Sequence, residues 1–231
     1  GKEYVLDPSA EKLLAALSNT LEAPYKIYNQ AKLADMDFGK FEVDGEEYPL
    51  SFVLFEGEWE FEEDTEIRRK AFEKFSNKLR EYQNTVATTY QTQVQKEKTI
   101  ADQRGHDSVI DYLLFEQEVD KELYNRQIDL IMENLAPHMR KYANLLQRIH
   151  GLDEMTFADL NLAVDSDFEP EITIDEAKDH IKEALSVMGD DYLEMVEKAF
   201  EERWIDFVQN KGKSTGAFCS TPYGKHPYIL I

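Results

Sequence analysis

Apolar positions recur at helical spacing along most of the chain and switch to alternation in two places. Asp7 followed by Pro8 supplies an N-cap and first-turn pair, and Leu13, Leu14, Leu17, Leu21 and Tyr25 then follow on one helical face. Pro24 interrupts that pattern and predicts a break or a new helix. From Phe38 to Phe61 the period changes. Phe41 and Val43, the dipeptide Asp44-Gly45, then Tyr48, Leu50, Phe52 and Leu54 predict a hairpin over 41–54, with Pro49 on an edge strand.

Ile67, Ala71, Phe75, Leu79, Tyr82, Val86, Tyr90 and Val94 return to intervals of three or four and predict one helix from Thr65 to Arg104, stopped by Gly105. Such a helix would be roughly 60 Å long at about 1.5 Å per residue. Its second half carries Gln83, Thr85, Thr88, Thr89, Gln91, Thr92, Gln93 and Gln95, read as a solvated face in preference to the wall of a wet cavity. Ser108-x-x-Asp111 predicts the capped start of the next helix. A further helical region spans Glu118 to His150, with Val119, Leu123, Leu130, Ile131, Leu135, Met139, Tyr142, Leu146 and Ile149 facing inward; Pro137 kinks or divides it and Gly151 closes it.

The stretch 152–171 is irregular and acidic, with a connector at 165–170. Thr173-x-x-Glu176 opens a helix through Val187 that Gly189 ends, and Asp190 or Asp191 caps another through Phe207. A Lys/Gly loop, a short strand, a turn at 223–227 and a second strand from Tyr228 complete the pattern. The expected fold is mainly α, a helical bundle with a small β-hairpin and C-terminal β-strands. Residues 1–103 form an N-terminal helical lobe carrying the hairpin, and 104–231 begin a second domain. The closing run Tyr228-Ile229-Leu230-Ile231 reads as a strand cut off from what followed, and the start, without an initiator Met, reads as trimmed as well.

Hydrophobic residues at 42% and charged residues at 32% are the proportions of a folded chain rather than a disordered one. No apolar run approaches the roughly eighteen residues that a membrane span needs, and the N-terminus lacks a signal-peptide core. Forty-seven acidic residues against 26 Lys and Arg give a formal charge of −21, a sign that repels phosphate backbones and argues against nucleic acid as a partner. A solvated acidic surface accounts for that charge; an acidic cleft for cationic peptides is the sharper reading. Cys219 is the only cysteine, which removes any internal disulfide and makes a reducing, cytoplasmic compartment the default.

The five histidines are His106, His138, His150, His180 and His226, and none begins a His-Glu-x-x-His motif. Glu176 and His180 stand four apart on a helix, a spacing that is common by chance on an acidic surface. His150 before Gly151 suits the capping of a helix end, and His226 suits a turn. Cys219 and His226 form the one nearby nucleophile and base pair, without a third orienting group; a small apolar strand residue is the favoured role of Cys219. Gly212-x-x-x-Gly216 with Lys211 and Lys213 lacks the phosphate-loop pattern. These 231 residues show no complete active site.

Several segments, taken in order, resemble one family. Arg104-Gly105-His106-Asp107-Ser108 is similar to its helix-joining segment, and 145–155, running Leu-Leu-Gln-Arg-Ile-His-Gly-Leu-Asp-Glu-Met, to its helix end and Gly-Leu-Asp turn. Trp204-Ile205-Asp206 through Lys211-Gly212-Lys213-Ser214-Thr215-Gly216-Ala217-Phe218, leading to Pro227-Tyr228-Ile229, is the most specific match. These segments resemble the oligoendopeptidase F family, relatives of thimet oligopeptidase. The resemblance implies a zinc metalloendopeptidase that hydrolyses internal bonds of short peptides, with the peptidase domain beginning near residue 104.

It also implies that the zinc-binding helix and the transition-state residues lie beyond Ile231, so no catalytic or metal residue is carried over and the segment by itself is expected to bind no zinc and to be inactive. The partners implied are a peptide substrate and the C-terminal catalytic segment. Gly216, Ala217 and Phe218 correspond to a strand bordering the substrate cleft. A glycine there lets a peptide backbone approach closely, and a packed strand start with Gly216 serving its turn reads equally well. The alternative function is a non-catalytic helical module that binds a peptide or partner.

Overall fold

The computed structural model describes residues 2–168, 172–208, 213 and 216–231. Helix α1 (Pro8–Leu21) starts where Asp7 accepts hydrogen bonds from the amides of Ser9 and Ala10, and α2 (Ala23–Gln30) follows with Pro24 in its first turn. The hairpin is tighter than the alternation suggests. Strands β1 (Lys40–Val43) and β2 (Glu46–Pro49) pair antiparallel about Asp44 and Gly45, both at positive φ. Leu50, Phe52 and Leu54 do not continue the sheet. Ser51 caps a helical turn by accepting from the Leu54 amide, and α3 (Phe52–Leu54) runs into a wider turn at Phe55–Trp59. An alternating run therefore straddles two element types, because both place apolar residues on the same core.

That core is the main one among the described residues. Phe38, Phe41, Val43, Leu50, Phe55 and Trp59 close on Ala71 and Phe75 of α4 (Thr65–Glu81). Phe75 stacks on Phe55 at 4.0 Å and on Phe38 at 5.0 Å between ring centroids. The expected single helix from Thr65 to Arg104 is broken at Tyr82, where φ of −100° and ψ of 2° leave helical geometry. The Tyr82 amide bonds the Leu79 carbonyl three residues back, and its hydroxyl donates to the Asp35 carbonyl at 2.9 Å. Helix α5 (Gln83–Arg104) restarts at once and ends at Gly105 in the left-handed conformation.

Ser108 caps α6 (Val109–Phe115), and Asp120 caps α7 (Lys121–Ile149), which begins three residues later than the pattern suggests. Pro137 lies inside α7 and does not divide it; the helix forgoes one amide and continues. The inward assignment of its apolar stripe holds only for Leu146, which is buried. Leu123, Leu130, Ile131, Leu135, Met139 and Ile149 are exposed, since no described element packs along that face. The Thr173 and Glu176 capping box opens α8 (Ile174–Leu185), and a short turn leads to Gly189.

Helix α9 (Asp190–Glu201) is capped by Gly189 rather than by an aspartate; Asp190 and Asp191 sit in its first turn, where their charge meets the helix dipole. It stops six residues short of Phe207. Arg203 takes a left-handed φ of 57°, and the Trp204 amide reaches back to the Ala199 carbonyl. The chain then forms β3 (Ile205–Asp206), β4 (Phe218–Ser220) and β5 (Tyr228–Leu230) in the order β3-β5-β4, with β3 parallel and β4 antiparallel to β5. Of the expected connector, Glu169 and Pro170 lie outside the described residues, as do 209–212, Ser214 and Thr215 of the Lys/Gly loop.

Candidate functional site

Sheet geometry decides which backbone groups at the C-terminal end are free. The Ile229 amide donates to Trp204 at 2.8 Å and the Ile231 amide to Asp206 at 3.2 Å, so the odd positions of β5 face β3. Tyr228 and Leu230 then face β4, where they pair with Ser220 and Phe218. Alternation turns the N–H and C=O of Cys219, between those two, to the far side of β4. No described strand lies there, and all three residues of β4 are exposed. The sheet thus ends in an open edge that can accept an extended chain.

Gly216, Ala217 and Phe218 are brought together at the start of this edge, though only Phe218 lies within the strand. Gly216 has φ of 84°, and a Cβ built there meets no atom within 4 Å. Its first requirement is therefore conformational, the turn that aims the chain into β4. Cys219 is an exposed thiol paired across the sheet with Ile229. His226 is more than a turn residue. It stacks on Trp204 with centroids 4.9 Å apart, tying the start of β5 to the end of α9.

Residues that the sequence reading missed hold the frame. Lys213 is 6% exposed at its side chain, and its Nζ donates to the carbonyls of Asp206 at 3.1 Å, Val208 at 2.8 Å and Ile231 at 3.1 Å. Asp159 is buried and accepts from Arg68 Nη2 at 2.7 Å and Arg69 Nη2 at 2.8 Å, with Thr156 Oγ1 at 2.6 Å. Burial would push the Asp159 carboxyl up, but hydrogen bonds from Arg69, Thr156 and Arg68 outweigh it and hold the group well below the usual carboxylate range. An aspartate three residues after Thr156 was the available signal, for the two form a capping box. For the burial of Lys213 the sequence offers none.

The polar face of α5 is solvated as expected, with Gln83, Thr85, Thr88, Gln91, Thr92 and Gln95 exposed, and part of it does more. It lines a groove of about 570 Å³ whose opposite wall is the corner between α1 and α2, with Leu21, Pro24 and Ile27 across from Thr85, Thr88 and Thr92. Thr88 and Thr92 donate their hydroxyls to the carbonyls four residues back, so the groove meets threonine methyls and hydroxyl lone pairs.

The remaining histidine and metal candidates resolve simply. His150 is the C-cap residue of α7, its amide donating to the Leu146 carbonyl, but its ring leaves the helix end and its Nε2 lies 2.8 Å from the Ala163 carbonyl. Glu176 accepts from the Thr173 amide and hydroxyl, which commits its carboxylate to the cap rather than to His180. Among the described residues no three His, Cys, Asp or Glu side chains are grouped to hold a metal ion, so the described residues do not fit a zinc site. No helix among them is long and apolar enough to cross a membrane.

Comparison with known proteins agrees with this frame. The model of peptidase family M3 matches residues 61–231, and that of the oligopeptidase F N-terminal region matches 1–38. Oligopeptidase PepF of Bacillus subtilis is 30% identical over all 231 residues, which cover 34% of its own length. Group B oligopeptidase PepB of Streptococcus agalactiae is 30% identical, again over the whole chain and 38% of the relative. The crystal structure of oligoendopeptidase-F from Enterococcus faecium superposes with a TM-score of 0.67 at 24% identity, covering 87% of this chain and 37% of that one, a likeness of fold. The chain thus spans about a third of the length of the curated relatives it matches. It belongs to peptidase family M3, among the oligoendopeptidase F proteins.

Proposed function

We propose that these residues are the part of a zinc-dependent oligoendopeptidase that receives an extended peptide, and that the parent enzyme hydrolyses internal bonds of short peptides. The open edge of β4 carries this reading. A peptide laid antiparallel or parallel along it exchanges main-chain hydrogen bonds with Cys219, which gives affinity without dependence on the peptide's side chains. Gly216 turns the chain into this edge, Ala217 continues it, and the half-exposed ring of Phe218 offers an apolar surface to a substrate side chain.

The helices supply walls. The groove between the α1–α2 corner and α5 and the exposed stripe of α7 are the surfaces on which a channel and the remaining catalytic part of the parent would be built. The length of the relatives supports that assignment, since this chain matches only about a third of it. Zinc, when bound, polarises the scissile carbonyl and activates water. The described residues do not fit its ligand set, so the metal is assigned to other residues of the parent and no step is derived through it.

The test is a quenched-fluorescence assay on short peptides with the full-length parent and with the isolated 231 residues. The parent should cleave internal bonds, lose activity in chelator and regain it with zinc, while the isolated segment neither binds stoichiometric zinc nor turns over. Chelator-resistant cleavage by the parent, or turnover by the segment with tightly bound zinc, would overturn the reading.

A further inference from the structure

Lys213 has more to do than neutralise a neighbour. An ammonium carries three donors, and here the three go to three backbone carbonyls, those of Asp206, Val208 and Ile231. Asp206 Oδ2 stands at 3.5 Å, close enough to balance the charge and beyond the three short bonds. The acceptors come from the end of β3, from the residues just after it, and from the end of β5. Pairing between β3 and β5 covers only Ile205 with Ile229 and Asp206 with Leu230. A parallel ladder of that length is too short to fix its own register. Lys213 extends the connection past the last paired residue by charge-assisted bonds in a nearly closed pocket, where such bonds are strong.

The same residue stands three positions before Gly216, at which the chain turns toward β4. β5 in turn carries β4, through the pairs Phe218 with Leu230, Cys219 with Ile229 and Ser220 with Tyr228, so an anchor on the end of β5 bears on where the open edge stands. We propose that Lys213 is a positioning residue for the peptide-binding edge, setting β4 against β5 so that the outward groups of Cys219 stand at pairing distance from a bound peptide. This rests on the reading of β4 as that edge. Lysine suits the task better than arginine, since three carbonyls converging on one point match a compact ammonium and not a planar fork.

The experiment uses the full-length parent, its Lys213→Met and Lys213→Arg variants, and a peptide substrate N-methylated at one backbone amide at a time. A displaced edge weakens binding in ground and transition states alike, so Lys213→Met should raise KM about ten- to a hundredfold with kcat changed less than about threefold. Lys213→Arg should raise KM by an intermediate factor, and it carries the test alone if the methionine variant does not fold. In the wild type, N-methylation of the amide that pairs with β4 should raise KM at least about tenfold, and in the variants this penalty should shrink.

A merely structural lysine would lower the melting temperature and the active fraction while leaving KM and the N-methyl penalty as they were; that result overturns the proposal and leaves the edge intact. If no N-methylated peptide is cleaved less well by the wild type, the edge reading itself fails, and the role of Lys213 fails with it.

Discussion

The β1–β2 hairpin and the C-terminal sheet are both built from strands of two to four residues, yet they are held in opposite ways. Behind the hairpin, Phe41 meets Tyr48 at 5.2 Å and Trp59 at 5.4 Å, and the Trp59 indole N–H donates to the Pro49 carbonyl at 3.0 Å. Its register is set by burial, because a slip of one residue would turn Phe41 and Val43 out of the core. The C-terminal sheet has no comparable apolar backing among the described residues. Lys213 on three carbonyls and Trp204 against His226 hold it instead. A strand pair fixed by a dry core is finished, whereas a sheet fixed from one end by polar anchors keeps a side open for another chain.

The sharpest way to break the comparison is to open the core behind the hairpin. Phe75 stacks between Phe38 and Phe55 and meets Phe52 edge-on, so Phe75→Ala leaves a cavity walled by three rings. It should cost about 3–5 kcal/mol in chemical denaturation. A loss under about 1 kcal/mol would show that the hairpin does not depend on this packing. The variant should also expose the β1–β2 amides to hydrogen exchange while those of β5 keep their wild-type protection.

The next effect belongs to the polar anchor within the same half. Asp159→Asn leaves the buried Arg68 guanidinium without its counter-charge and should cost about 2–4 kcal/mol. The acid dependence has a definite sign. The Asp159 carboxyl is held below its ordinary value of 3.8 in the folded chain, so its stabilisation is complete above that value and is lost as pH falls below it. Denaturation midpoints of the wild type should therefore fall more steeply below about pH 4 than those of Asp159→Asn. Parallel slopes would remove Asp159 as a source of that dependence.

The two halves also differ in how far the sequence announces them. Gly105 and Arg203 end their helices with the same backbone device, the amide just after the left-handed residue reaching the carbonyl five back, from His106 to Ala101 and from Trp204 to Ala199. Gly105 is visible in the sequence because glycine takes positive φ freely. Arg203 is hidden because nothing about arginine signals that conformation, so the helical pattern runs on through β3 with no stop visible in the sequence. The Asp44-Gly45 turn, the Asp7 and Ser108 caps and the capping box at Thr173 are local chemistry and were legible. The break at Tyr82 depends on a hydroxyl reaching Asp35, a contact 47 residues away, and the Lys213 anchor depends on Ile231, 18 residues away. Amphipathic spacing on α7 identified an apolar stripe correctly and could not say whether this stretch of chain covers it.

The smallest effect tests the start of the open edge. At Gly216 a methyl group would enter empty space, so Gly216→Ala carries no clash, only the strain of a φ of 84°. That strain should cost about 1–2 kcal/mol. Turning the chain into β4 needs the positive φ but not the missing side chain. The expected result in the full-length parent is thus a modestly lower melting temperature, with kcat/KM within about threefold of wild type once corrected for folded enzyme. The opposite outcome, an unshifted melting temperature with kcat/KM down by about tenfold or more, would mean that a peptide backbone passes directly over Gly216. The bound chain would then begin its pairing three residues earlier than Cys219, and the edge would be longer than the strand that the isolated fold displays.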